Sequence, residues 1–130
     1  MKFLILSSIV LFSCIKEQDL KGTYVPVNYK NNFDTIRLED DGIYSRKVYD
    51  INGKLLLKMK GKWEHKNDII NFRPFFLNFD YDLVKFPEVI QDTLGGWSGN
   101  LHKNNGNLEF CVGHLSASLP NQNCYRKIAK

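Results

Sequence analysis

The stretch Leu55-Leu56-Leu57-Lys58-Met59-Lys60-Gly61-Lys62-Trp63-Glu64 decides the fold. On an extended chain Leu55, Leu57, Met59 and Trp63 fall on one side, while Lys58, Lys60, Lys62 and Glu64 fall on the other. Leu56 alone breaks the second set. A strand with one apolar and one charged face packs on a core and meets water, as in an antiparallel sheet, and does not suit a parallel sheet covered on both sides. Gly61 falls on the apolar face, where a missing side chain permits a sharp bend or the close approach of a neighbouring strand. Such bends help a sheet curl.

The same habit extends in both directions. Upstream, Asn52-Gly53 is a strong hairpin signal and follows a strand over residues 43–50. Asp40-Asp41-Gly42 supplies a turn that tolerates positive φ. Thr35-Ile36-Arg37-Leu38-Glu39 alternates as a half-buried strand, and Gly22-Thr23-Tyr24-Val25-Pro26-Val27 reads as a first strand bent at its end by Pro26. Downstream, Lys66-Asn67-Asp68 turns the chain into a short strand over residues 69–72, before Pro74. Strands resume over residues 96–102, where Trp97 and Leu101 share a face with Gly99 between them. After the turn Asn104-Asn105-Gly106, Leu108, Phe110 and Val112 form an inward set and Cys111 points the other way. A Ser/Pro/Asn connection over residues 116–123 leads to a last strand over residues 124–128. About eight strands joined mostly by hairpins, with no convincing amphipathic helix, predict an all-β fold: an antiparallel up-and-down β-barrel, or alternatively a β-sandwich.

Residues 75–94 depart from this pattern. Five aromatic residues fall within residues 75–87, with acids between them and no clean period. The segment reads either as a long connection whose aromatics plug one end of the barrel, or as a recognition loop presenting Phe76, Phe79, Tyr81 and Phe86 to a partner. Inward positions elsewhere carry Tyr24, Leu57, Met59, Trp63, Phe72, Trp97 and Phe110, which serve as core or line a cavity for a small apolar ligand.

The N-terminus has a different character. Met1-Lys2 precedes ten residues, eight of them apolar. At ~1.5 Å per helical residue these cannot cross ~30 Å of hydrocarbon, so they read as a secretory signal peptide, with a buried N-terminal strand as the alternative. Leu11-Phe12-Ser13-Cys14 resembles a bacterial lipobox, with Phe12 bulkier than is usual there. The resemblance implies diacylglycerol on the Cys14 thiol, cleavage before Cys14 and acylation of the new N-terminus, with palmitate among the chains. Anchoring by two or more chains is stable because each buried methylene contributes roughly 0.8 kcal/mol. It divides the chain into a signal peptide (residues 1–13), a lipidated tether (14–20) and a barrel domain (21–130). Ile15 stands where an Asp would signal inner-membrane retention, so the expected address is the outer membrane, on its periplasmic face or at the cell surface. Lys16-Glu17-Gln18-Asp19 resembles the acidic surface-export tag of some Bacteroidetes lipoproteins.

The chain has 18 basic and 14 acidic residues, and removing Lys2 leaves 17 − 14 = +3. Both signs are interspersed along the sequence, without the clustered Lys/Arg of a nucleic-acid stripe. With Cys14 assigned to lipid, Cys111 and Cys124 remain as an even pair. They suit a disulfide in an oxidising compartment, two free buried thiols, or a metal site through Cys111-Val112-Gly113-His114, although no second matching pair is present. His65 and His102 are isolated. Ser116 and Ser118 lack a G-x-S-x-G elbow, and Asp80, Asp82, Glu88 and Asp92 are scattered acids, so the expectation is a protein without catalytic residues, metal or cofactor.

Leu20-Lys21-Gly22-Thr23-Tyr24 is similar to the opening of a lipocalin-like domain, with Tyr24 where the family's G-x-W has Trp. Gly61-Lys62-Trp63 carries those letters in a later strand. The succession G-x-Y, D-x-I-x-L (residues 34–38), D-G-x-Y (41–44), G-x-W and a final Tyr125-Arg126-Lys127 resembles small lipocalin-like lipoproteins of Bacteroidetes. The resemblance implies a non-enzymatic binding domain for a small ligand or a protein partner, and alternatively an inhibitor or immunity-type lipoprotein that blocks a toxin or hydrolase. A fold does not fix a function. A hollow barrel suits the ligand carrier, and a filled one with an exposed patch suits the blocker.

Overall fold

Strands β1 (Gly22–Pro26), β2 (Asp34–Leu38), β3 (Ile43–Tyr49), β4 (Leu55–Lys66), β5 (Ile69–Arg73), β6 (Trp97–Asn104), β7 (Asn107–Val112) and β8 (Cys124–Ala129) follow one another around a closed antiparallel barrel. β8 returns to pair with β1, so the barrel and not the sandwich is the fold. The structure, a computed structural model, describes residues 15–27, 34–77, 95–112 and 123–129.

Local chemistry sets the corners. Asn67-Asp68 and Asn105-Gly106 each place two successive residues at positive φ, the turn geometry whose twist matches the flanking strands. The β3–β4 connection is longer than the Asn52-Gly53 signal suggests. It spans residues 50–54, and the Asp50 carboxylate organises it by accepting the N–H groups of Asn52 (2.8 Å) and Lys54 (2.9 Å).

β4 exchanges partners along its length: Leu55 to Lys62 pair with β3, and Lys62 to Lys66 pair with β5. The exchange falls beside Gly61. A Cβ on Gly61 would stand 2.5 Å from Tyr44 Cε1 and 2.7 Å from the Arg73 carbonyl oxygen, so the bend depends on the missing side chain.

The stretch expected as a tether touches the barrel from Ile15 onward. A helical turn, α1 (Glu17–Leu20), buries Leu20 completely, and the Tyr24 hydroxyl donates to the Leu20 carbonyl (2.6 Å). Ile15 packs on the core and Lys127 Nζ donates to the Asp19 carbonyl. Among the described residues no helix is long and apolar enough to cross a membrane.

Cys111 and Cys124 face each other in the β7–β8 register and are joined by a disulfide, which decides among the three readings of the pair. Reduction should lower unfolding free energy by about 3 kcal/mol, read from denaturant titrations with and without reductant. Gly61→Ala should cost about 1–3 kcal/mol by the same measurement, because the added methyl meets a packed ring and backbone.

Candidate functional site

The barrel interior was the expected ligand site, and aromatic side chains occupy it. Phe110 lies at the centre, with ring centroids 4.9 Å from Tyr24, 5.3 Å from Phe72 and 5.4 Å from Tyr125. Phe72 in turn contacts Tyr44 (5.1 Å) and Phe75 (5.0 Å). Rings from β1, β3, β5, β7 and β8 thus touch in one continuous chain between opposite walls.

Phe75 belongs to no strand. After the cis Arg73–Pro74 bond the chain turns inward, and Phe75, Phe76 and Leu77 are all buried. The backbone of this plug is held by strand side chains: the Tyr44 hydroxyl donates to the Pro74 carbonyl, and Arg46 Nη1 donates to the Phe76 carbonyl. Phe75 N–H reaches the Gly95 carbonyl (2.8 Å).

Arg46 is fully buried, and each of its three guanidinium nitrogens donates to a partner. Nε and Nη2 donate to the two carboxylate oxygens of Asp34 (2.8 and 2.6 Å), and Nη2 also reaches the Tyr125 hydroxyl (3.2 Å). The Tyr125 hydroxyl donates to Asp34 (2.9 Å), and the Phe75 ring lies 4.5 Å from the guanidinium carbon. Burial opposes the charge on Arg46, but the Asp34 carboxylate outweighs it and holds the group above its ordinary pKa. Burial pushes the Tyr44 hydroxyl up to about 12, against the pull of Arg46, and pushes Tyr24 higher still.

Each lining candidate has a place. Tyr24, Trp63, Phe72 and Phe110 are buried in the main core, and the Trp63 indole N–H donates to the Glu39 carbonyl (3.1 Å). Leu57 packs with Val48 and Phe76 in a smaller cluster, and Met59 bridges the two clusters. Trp97 differs, since it is 40% exposed and borders an open groove of about 610 Å³ with Lys62, Asn71, Arg73 and Ser98. Of the partner-facing candidates, Phe76 is buried against the barrel wall, and Phe79, Tyr81 and Phe86 lie outside the described residues, as does Cys14.

Comparison with protein-family models and with curated proteins yields no match. Among solved structures, a crystal structure of an uncharacterized protein from Bacteroides eggerthii is similar, with a TM-score of 0.47 and 11% identity. The match covers 83% of this chain and 98% of that one.

Sequence reasoning did not single out Asp34, Arg46 or Glu109. A signal for the first two was present, because both sit at inward positions, Asp34 with Ile36 and Leu38, and Arg46 between Tyr44 and Val48. Glu109 is buried on the outer side between Arg126 (2.6 Å) and His102 (3.3 Å). His65 Nε2 is buried with no hydrogen-bond partner among the described residues. Among the described residues no group of three or more His, Cys, Asp or Glu could hold a metal.

Arg46→Met should destabilise the fold by about 3–5 kcal/mol, since it leaves Asp34 buried without its counter-charge, and Arg46→Met with Asp34→Leu should recover much of that loss. Denaturant midpoints of the single and double variants give the comparison. For the tyrosines the folded-state pKa lies above the ordinary value of 10.0, so their contribution is complete below about pH 10 and fades as pH rises toward 12. Urea midpoints should therefore stay level up to about pH 10 and fall beyond it.

Proposed function

We propose that this chain is a lipid-anchored outer-membrane lipoprotein, attached through Cys14, whose barrel is a non-enzymatic binding module acting through its outer surface on a protein partner. The observation that carries this reading is the filled interior: the aromatic chain around Phe110 and the plug of residues 75–77 occupy the space a small apolar ligand would need. An eight-stranded barrel is just wide enough to be filled by its own side chains. The same observation favours the inhibitor or immunity-type role, which needs an exposed patch and no internal cavity.

The anchor reading is supported by the lipobox-like Leu11-Phe12-Ser13-Cys14. Ile15 also packs on the core and borders a groove at the barrel end with Gly106, Asn107, Lys127 and Ile128. A lipid on the preceding residue would hold that end toward the membrane.

Cys14→Ala should abolish palmitate labelling and release the protein from membranes, and unchanged fractionation would defeat the anchor. Native mass spectrometry of protein purified from its own membranes should show no bound small molecule; a stoichiometric apolar ligand would return the interior to consideration.

A further inference from the structure

Charges that are interspersed along the sequence are sorted by the barrel. On its outer surface Arg37 of β2, Lys47 of β3, Lys58, Lys60 and Lys62 of β4 and Arg73 of β5 are all exposed. None of the six takes part in an ion pair among the described residues. The register brings like charges directly opposite one another, Lys47 against Lys58 and Lys62 against Arg73. Such pairs destabilise a sheet, and an anion bound over them relieves that repulsion. Acids gather at the lower end of the row: Glu64 stands opposite Asn71, Asp41 borders the grooves of Lys60, Lys62 and Arg73, Asp40 pairs with Lys21, and Glu39 accepts from the Ser45 hydroxyl (2.8 Å), whereas Lys47 and Lys58 lie nearer the hairpin tip.

The β3–β4 hairpin adds an apolar element. At its tip Ile51 is 76% exposed and Leu55 43% exposed; an irregularity in the β3–β4 register between Val48 and Tyr49 sets Leu55 opposite Tyr49, so that it leaves the inward face expected from its alternation with Leu57. Below them the three lysines of β4 project at a pitch of about 6.8 Å, that of alternate residues on a strand.

We propose that the outer face of the β3–β4 hairpin is the docking surface for an acidic protein partner that carries an apolar patch for Ile51 and Leu55. The proposal rests on the outer-surface reading above and names the face and the partner's chemistry. A protein fits better than the anchoring membrane, because β3 runs in the direction of β1 and carries the tip to the end of the barrel away from Ile15. It fits better than a polysaccharide or nucleic-acid backbone because those anionic backbones offer no apolar surface to cover Ile51 and Leu55, whereas a protein interface joins an apolar core to a polar rim.

Full-length lipidated protein would be titrated with four probes: a synthetic peptide of alternating Glu and Leu, heparin, duplex DNA and phosphatidylglycerol vesicles. The Glu-Leu peptide should bind best and weaken with salt. Lys58→Glu/Lys60→Glu should weaken it by about tenfold or more. Ile51→Ser/Leu55→Ser should weaken it without changing the salt dependence. The charge-reversed variant should gain affinity for a Lys-Leu peptide of the same pattern, which also shows that it is folded. Stronger binding of vesicles, heparin or DNA, or peptide binding indifferent to either variant, overturns the proposal. Palmitate labelling and fractionation of the same preparations report the anchor separately, so the docking face can fail while the anchor stands.

Discussion

The ion pair between Arg46 and Asp34 is the interaction on which the interior is organised. A guanidinium in the middle of a small barrel is costly to desolvate, and it is tolerated here because its donors find two carboxylate oxygens, a hydroxyl and a backbone carbonyl. That carbonyl belongs to Phe76, so the network reaches beyond the strands and fixes where the chain after β5 must run. Residues 75–77 then bring two aromatic rings and a leucine into space that strand side chains alone do not occupy. The pair also ties β2 and β3 through Tyr125 to β8, a strand that pairs with neither of them.

This shows which parts of the structure were legible in the sequence. Strand positions, most turns and the barrel followed from alternation and from Asn, Asp and Gly at the corners, because those signals are local and rest on the two-residue period of a strand. The inward role of Gly61 was legible for the same reason, since its place on the apolar face of β4 is a matter of parity. The Arg46 network was not, because its members lie up to 91 residues apart and become neighbours only when the barrel closes. An inward arginine between Tyr44 and Val48 was a clue, but by itself it does not name its counter-charge. The plug was half legible: the aromatic density of residues 75–87 stood out, whereas its direction depends on Arg46 and Tyr44, thirty residues upstream.

Cavity and core could not be told apart from sequence for a related reason. Tyr24, Phe72 and Phe110 read the same way whether they line an empty space or fill it, because inward parity says nothing about what they meet. What they meet here is one another and Phe75. With the interior committed to packing, the proposed binding role rests on the surface. Even Trp97, the lining candidate that remains exposed, opens onto the outside between Lys62 and Arg73.

The barrel divides its labour by side. Around β7, β8 and β1 lie the disulfide, the Glu109 pairs with Arg126 and His102, and the docking of Ile15 and α1, so this side is tied by covalent, ionic and apolar contacts together. Across from it, β3 and β4 carry lysines without an ion pair among the described residues, like charges in register and an apolar tip. Sequence statistics average over this difference, because the net charge is small and both signs recur along the chain. Only the barrel's curvature separates a side that consumes its polar groups internally from one that keeps them available. Like charges opposed across strands cost stability, and the proposed docking on β3–β4 would draw on that cost, because an acidic partner that neutralises Lys47 and Lys58 removes a repulsion the fold leaves in place.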